Sequence, residues 1–275
     1  MEMVSAEAPI NEETVERLPM LRVARGESRS IEDIVVRETP LTIFLNNQEL
    51  VTLLCTPENL KYLAIGFLSS EGLINSKDEI ERLVLDEEKG MVWVKTKGEK
   101  DFAQRLVFKR MITSGCGRSA SFYSTIDATS YGEVKSQLKL RVNDVFTLVN
   151  KLQQRSPLYR ATGGVHSAAL CNRDDILIFS EDIGRHNAID KIFGECLLKD
   201  IKTDDKIIIT SGRISSEILL KAARRSIPII ISRSAPTSLA VKLAARLGVT
   251  TIGFVRGRRM NIYANSWRVH QEGGK

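Results

Sequence analysis

Residues 206–255 read KIIITSGRISSEILLKAARRSIPIIISRSAPTSLAVKLAARLGVTTIGFV. Three short β-branched runs, KIIITS, PIIISRS and VTTIGFV, alternate here with SSEILLKAARRS and PTSLAVKLAARLG. The two longer segments carry apolar residues at helical spacing, with hydroxyl residues at their starts. Strands separated by helices of about 10–15 residues predict a parallel sheet covered on both faces. Ligands of such sheets bind at the carboxyl ends of the strands. Polar sequences follow each run: TSGR after the first, SRSAPTS after the second and VRGRR after the third.

The alternation continues upstream. VHSAALC and DILIFSE read as strands, the latter ending in SED. RHNAIDKIFGECLLK reads as an amphipathic helix, and VNDVFTLVNKLQQ as another, starting near Asn143 or Asp144. The first half differs in character. IEDIVVRE, LTIFLNN and ELVTLLCT are β-branched runs with turn residues between them, which predicts a meander. Pro57 then opens a helical stripe of Leu60, Leu63, Ala64, Phe67 and Leu68, with Gly72 as its C-cap, and MVWVKT is a further strand. The expected organisation is a flexible segment at 1–28, a smaller β-rich (α+β) part at 29–135 and an α/β domain at 136–275.

The 275 residues are 43% apolar and 27% charged, a soluble globular balance. No apolar run approaches the roughly 18 residues of a membrane-spanning helix. The start, MEMVSAEAPINEETVE, has no basic region followed by an apolar one, so no secretory signal is expected and a cytoplasmic location follows. The net charge of +6 is uneven: from Asp205 onward 13 Lys and Arg face three Asp and Glu. A basic C-terminal third suits an anionic partner, or simply a solvated basic face.

Cys55, Cys116, Cys171 and Cys196 are far apart, and no CxxC occurs. Free thiols in a reducing compartment are expected, without a zinc site, because His166, His186 and His270 show no ligand spacing with them. Cys55, Cys171 and Cys196 lie in apolar runs and read as packing residues. Cys116 does not. In MITSGCGRSAS it stands between Gly115 and Gly117, with Arg118 and Ser119 behind, so the thiol is presented on a loop. A catalytic thiol works as thiolate in an electropositive, accessible setting, and Cys116 is the candidate nucleophile.

Four further stretches carry polar groups in unusual density. ATGGVHSAA places His166 at a strand start after Gly163 and Gly164, where it can donate to a ligand, orient a thiol, or be a satisfied structural histidine. SEDIGRHNAIDK opens a helix with Arg185, His186 and Asn187; these suit an anion at a helix start, with Asp182 and His186 spaced to pair, or else only capping and an ion pair. In TSGRISSE capping explains the serines but not Gly212 and Arg213; SRSAPTSLA fits capping, with Pro236 in the first turn. GFVRGRRMNIY ends a strand in Arg256, Gly257, Arg258 and Arg259. Glycine admits close backbone approach and guanidinium groups grip phosphate through two bonds, or else the stretch is only an exposed basic turn.

Together TSGCG, TGGVHSAAL, EDIGRHNAIDK, TSGRISSEILLKAA, SRSAPTSLAVKLA and GFVRGRRMNIY resemble the FdhD/NarQ family, the formate dehydrogenase accessory sulfurtransferases, from about residue 30 onward. The resemblance implies a cytidine deaminase-like C-terminal domain. It also implies a sulfur carrier, loaded by a cysteine desulfurase as a persulfide on the cysteine matching Cys116. The sulfur would pass to the molybdenum of bis-molybdopterin guanine dinucleotide, bound as substrate rather than as a resident cofactor, for formate dehydrogenase. The family's cofactor-binding stretch matches Phe254, Val255, Arg256, Gly257, Arg258 and Arg259. A homodimer is expected, with no membrane or nucleic acid partner. The family often shows CxxC on the loop, whereas Ser119 takes the second position here, which puts in doubt any mechanism that needs a second loop thiol. A zinc nucleobase deaminase is the rival by fold analogy, yet Ser167 and Ala168 follow His166 where that chemistry needs a glutamate. A non-catalytic nucleotide- or RNA-binding protein fits the basic third, but 6% aromatic content and no stacking motif argue against it.

Overall fold

A computed structural model describes residues 10–98 and 132–271; Cys116 and its loop lie outside them. The described chain opens with a hairpin, β1 (Val15–Ala24) and β2 (Glu27–Val36), turning at Arg25 and Gly26, both at positive φ as a tight hairpin turn requires. The flexible lead-in expected over 1–28 is therefore corrected for most of its length. Apolar alternation could not announce this strand, because Val15 is its one buried residue. The base of the ribbon is held by Val15, Ile34 and Val36 against Leu158 and Val165.

Of the expected meander, IEDIVVRE falls mainly in β2, while LTIFLNN and ELVTLLCT form the hairpin β3 (Thr39–Leu45) and β4 (Gln48–Cys55); with β5 (Ile80–Asp86) and β6 (Met91–Thr96) they make a four-stranded sheet ordered β4-β3-β6-β5, in which β3 runs parallel to β6, so it is not a meander. One face is covered by α1 (Leu60–Ser70), whose Leu63, Ala64 and Phe67 meet Leu41, Ile43, Val92 and Val94. Glu71 caps the helix, one residue before the Gly72 expected, and Gly72 follows at φ +73.

The α/β part holds β7 (Leu140–Arg141), α2 (Val142–Gln154), a short α3 (Pro157–Thr162), β8 (His166–Cys171), β9 (Ile176–Asp182), α4 (Arg185–Leu198), β10 (Ile207–Thr210), α5 (Ser216–Arg224), β11 (Ile229–Ser232), α6 (Ser238–Leu247), β12 (Thr250–Arg256), β13 (Arg259–Ala264) and β14 (Val269–His270). Six strands form one sheet in the order β13-β12-β11-β10-β8-β9. Only β10, β11 and β12 are mutually parallel neighbours; β8 runs antiparallel to both β9 and β10, and β13 antiparallel to β12. The all-parallel expectation fails where no helix intervenes. Asn172 closes a tight turn between β8 and β9 by accepting from the amides of Asp174 and Asp175, and Gly257 at φ +57 turns β12 into β13. Hairpin partners must be antiparallel; only the helical crossovers make parallel ones.

The buried strands face helices on both sides. Ile208 and Ile230 pack among Ile189, Leu219 and Leu243, while Ile207, Ile209, Ile229 and Ile231 pack with Leu148 and Leu152 of α2. Burial of both faces explains continuous apolar runs in place of alternation. Among the described residues no helix is long and apolar enough to cross a membrane.

Helix α4 departs from the amphipathic expectation. Ten of its fourteen residues are buried, because α1 covers the face that the sheet leaves free. The two helices touch backbone to backbone. A Cβ at Gly66 would fall 1.7 Å from the carbonyl oxygen of Asp190, and one at Gly194 would fall 1.9 Å from that of Tyr62. Neither obstacle is a side chain that could swing away. Gly66→Ala should therefore lower unfolding stability in urea by about 1–3 kcal/mol or more, the range for overpacking. Gly132→Ala, with open space around its Cβ, should stay near wild type. Equal stability of the two variants would contradict the close contact.

Candidate functional site

Strands β9, β10, β11 and β12 point the same way, so their carboxyl ends share one rim of the sheet with the first residues of β8 and β13. That rim collects most of the candidate residues. His166 starts β8, and Arg185 and His186 open α4 directly after β9. Gly212 and Arg213 follow β10, and the Phe254–Arg259 stretch ends β12 and turns. Gly212 lies against the Arg185 stem: a Cβ there would meet that of Arg185 at 2.8 Å. The Gly212 carbonyl accepts from Ser232 Oγ at 2.6 Å, Arg233 N–H donates to the Thr210 carbonyl at 3.3 Å, and Arg256 Nε donates to the Arg233 carbonyl at 3.4 Å.

Val255 is the exception. It is buried in the core with Ile252 and Leu148, so its side chain faces away from any ligand. Its neighbour Phe254 sits at φ +53, in the left-handed region that a bulky side chain rarely adopts, where β12 is irregular against β13. Arg256, Gly257, Arg258 and Arg259 are exposed. Arg233 completes the row, though it did not stand among the candidates. The signal was present, since SR follows β11 just as GR follows β10.

The EDIGRHNAIDK segment divides into two roles. Asp182, wholly buried, does not pair with His186. Its Oδ2 accepts from Thr56 N–H at 3.1 Å and Thr56 Oγ1 at 3.0 Å, and lies 2.7 Å from Lys191 Nζ. Its Oδ1 accepts from Gly184 N–H at 2.8 Å and Asn187 Nδ2 at 2.9 Å. Thr56 follows β4, so this cluster ties the N-terminal sheet to the α/β part. Asp190 does the same, accepting from Ser70 Oγ at 2.6 Å and pairing with Lys221 of α5. Glu181 accepts from the first amides of α3, Leu158 at 3.0 Å and Tyr159 at 2.9 Å, although burial pushes its pKa up. Only Arg185 and His186 remain for the rim.

Hydroxyls around the rim are spent mostly on capping. Ser215 Oγ accepts from Ile218 N–H at 3.4 Å, and Thr237 Oγ1 from Ala240 N–H at 3.3 Å. Thr237 is the cap, so Pro236 precedes α6 rather than filling its first turn. Ser211 Oγ accepts from Ser167 N–H at 3.0 Å and lies 3.3 Å from His166 Nδ1.

The rim is strongly positive. Among the described residues no carboxylate pairs with Arg185, Arg213, Arg233, Arg256, Arg258 or Arg259. Glu217 of α5 lies 3.4 Å from His186 Nε2. Burial, then Arg185, lowers the pKa of His166. Burial lowers that of His186 to about 2, helped by Lys221, Arg185 and His166. Both imidazoles are neutral near pH 7. The three described thiols are equally settled: Cys55, Cys171 and Cys196 are fully buried, and burial pushes each up to about 12. They are packing residues, as expected, and not nucleophiles.

A base whose pKa falls on folding stabilises the native state above its unfolded pKa and loses that contribution as pH falls. For His186 the loss starts near pH 6.5 and runs toward pH 2. Between pH 7 and pH 5 the wild type should lose about 2 kcal/mol more stability than His186→Gln, as measured by urea unfolding at each pH. Parallel losses in the two proteins would show that His186 is not buried neutral.

The FdhD/NarQ family model matches residues 36–270. The chain is 45% identical over 250 residues to the sulfur carrier protein FdhD of Bacillus subtilis (strain 168), spanning 91% of this chain and 95% of that protein. It is 46% identical over 257 residues to the protein of the same name from Listeria innocua, spanning 93% and 98%. A solved structure from Desulfotalea psychrophila, described as that of a formate dehydrogenase accessory protein, superposes with a TM-score of 0.77 at 26% identity, over 94% of this chain and all of that one. The match runs through both sheets and the whole arginine rim, and the chain belongs to the FdhD/NarQ family.

Proposed function

We propose that this protein is a cytoplasmic sulfur carrier for formate dehydrogenase, taking sulfur from a cysteine desulfurase on Cys116. The names of its relatives support the carrier role, and that of the structural neighbour supports the client. In the loading step the Cys116 thiolate attacks the outer sulfur of the desulfurase persulfide. A new S–S bond forms on Cys116, the donor's S–S bond breaks, and the donor cysteine leaves as thiolate. The sulfur is destined for the molybdenum of bis-molybdopterin guanine dinucleotide, which is substrate here and not a resident cofactor. A homodimer is the working assembly, and the six-stranded α/β layer is the cytidine deaminase-like unit of the resemblance.

The observation that carries the reading is the rim of six arginines without acidic partners. Guanidinium groups in that state suit the phosphates of a guanine dinucleotide. Phe254, Arg256, Gly257, Arg258 and Arg259 are the outer contacts of this site, and Arg185, His186, Gly212 and Arg213 the inner ones. The burial of the other three thiols supports Cys116 as the carrier.

Incubation with a cysteine desulfurase and cysteine should add the mass of one or more sulfur atoms, read by intact-protein mass spectrometry. Dithiothreitol should remove the gain, and Cys116→Ala should never show it. The same variant should fail to support formate dehydrogenase maturation. Unchanged loading of Cys116→Ala would overturn the assignment.

A further inference from the structure

The β1–β2 ribbon is anchored at its base by Val15, Ile34 and Val36. Further out, Leu18, Met20, Leu21, Val23 and Ile31 join no buried cluster among the described residues. Beyond Ile34 lie Leu18–Ala24 and Glu27–Asp33, a length of roughly 24 Å. A two-stranded ribbon is at best marginally stable in water, and further strands are what make such a sheet stand alone. With two strands, both of its outer edges are open.

The edges are not alike. Arg37 N–H donates to the Thr14 carbonyl at 2.7 Å, one step below the first pair of the ribbon. Antiparallel pairs alternate between bonded and non-bonded. Val35, Asp33, Ile31 and Arg29 therefore bond to β1, and Ser28, Ser30, Glu32 and Ile34 turn their backbone groups outward. The Ile34 amide fits this phase, since it donates to Asp33 Oδ1 at 3.0 Å. On β1 the outward residues are Arg17, Pro19, Leu21 and Val23. Pro19 has no N–H, so it breaks that edge in its middle. No proline interrupts β2, and Ser28, Ser30 and Glu32 are exposed along its edge. An edge in that state is a template for another strand.

We infer that two copies of this chain join through β2, edge to edge across a twofold axis at Ile31. The product is a four-stranded antiparallel sheet ordered β1-β2-β2-β1. This interface belongs to the homodimer proposed above and rests on that reading. Charge selects the register. With Ile31 on the axis, Arg29 of each copy faces Asp33 of the other, and Ser30 and Glu32 exchange ladder bonds. Centring on Ser30 would set Glu27 against Asp33, and centring on Glu32 would set that acid against its own copy. Like charges directly opposite destabilise a sheet. Within one chain Arg29 lies 2.9 Å from Glu27 and Asp33 lies 3.6 Å from Arg22, yet their side chains stay 77% and 43% exposed, open to a second copy. The same register gathers apolar groups. Met20 is the ribbon partner of Ile31, so one row across the new sheet reads Met20, Ile31, Ile31, Met20. Leu18 and Val35, 41% and 42% exposed, lie on the same face.

Light scattering on the full chain at micromolar concentration should show a dimer. Ser30→Pro removes one outward donor from each copy and should raise the dimer Kd about tenfold or more. Arg29→Glu should also weaken the dimer, and adding Asp33→Arg should restore it. Residues paired without ladder bonds lie about 4.5 Å apart at Cα, within disulfide reach. Ile31→Cys should therefore cross-link two chains under mild oxidation, read by mass spectrometry as peptides joined at position 31. Leu21→Cys, on the interrupted edge, should not. The cross-link decides the matter even where Ser30→Pro fails to fold. A wild type that stays monomeric would overturn both this interface and the homodimer. A dimer without the link at position 31, or one unweakened in a folded Ser30→Pro, would overturn the β2 edge and leave the homodimer standing.

Discussion

The Asp182 carboxylate is the fixed point of the molecule. It accepts from the backbone and hydroxyl of Thr56, from Gly184 and from Asn187, and it pairs with Lys191. One group thereby joins the end of β4, the end of β9 and the first two turns of α4. Without its ring of donors a carboxylate so deeply buried would be costly. With it, the direction in which α4 leaves the sheet is set. That direction decides that Arg185 and His186 reach the rim while Asn187 and Lys191 turn inward.

The same logic explains why the sequence was legible at the rim and misleading within α4. A topological rule places ligands after the carboxyl ends of parallel strands, and it located Gly212, Arg213 and the Arg256–Arg259 turn from spacing alone. It applied equally to Arg233, which capping by its neighbours hid. Polar residues in a helix ordinarily mark a solvated face. In α4 the polar residues Asn187, Asp190 and Lys191 are buried against α1 and the β4 end, a tertiary arrangement that no local pattern encodes. Strand β1 was missed for the opposite reason: its apolar residues Leu21 and Val23 are exposed, so burial never shaped the pattern. The position of Cys116 relative to the rim lies outside the described residues.

Two kinds of charge thus coexist. Acids and amines inside are matched pair by pair, as Asp182 with Lys191 and Asp190 with Lys221. Arginines at the rim are left unmatched. Self-repulsion of this kind costs folding stability while raising the local concentration of anions. The cost is bearable because the rim sits on strands whose Ile triplets are buried on both faces.

The glycine contact between α1 and α4 has a mechanical consequence. Packed helices usually slide past each other by small rotations of their interlocking side chains. Where Gly66 and Gly194 bring the two backbones together, there are no side chains to rotate, and a shear would drive one peptide chain into the other. The N-terminal sheet and the arginine rim must then turn as one rigid lever. A push on the outer face of the four-stranded sheet would be delivered, undamped, to the first turn of α4.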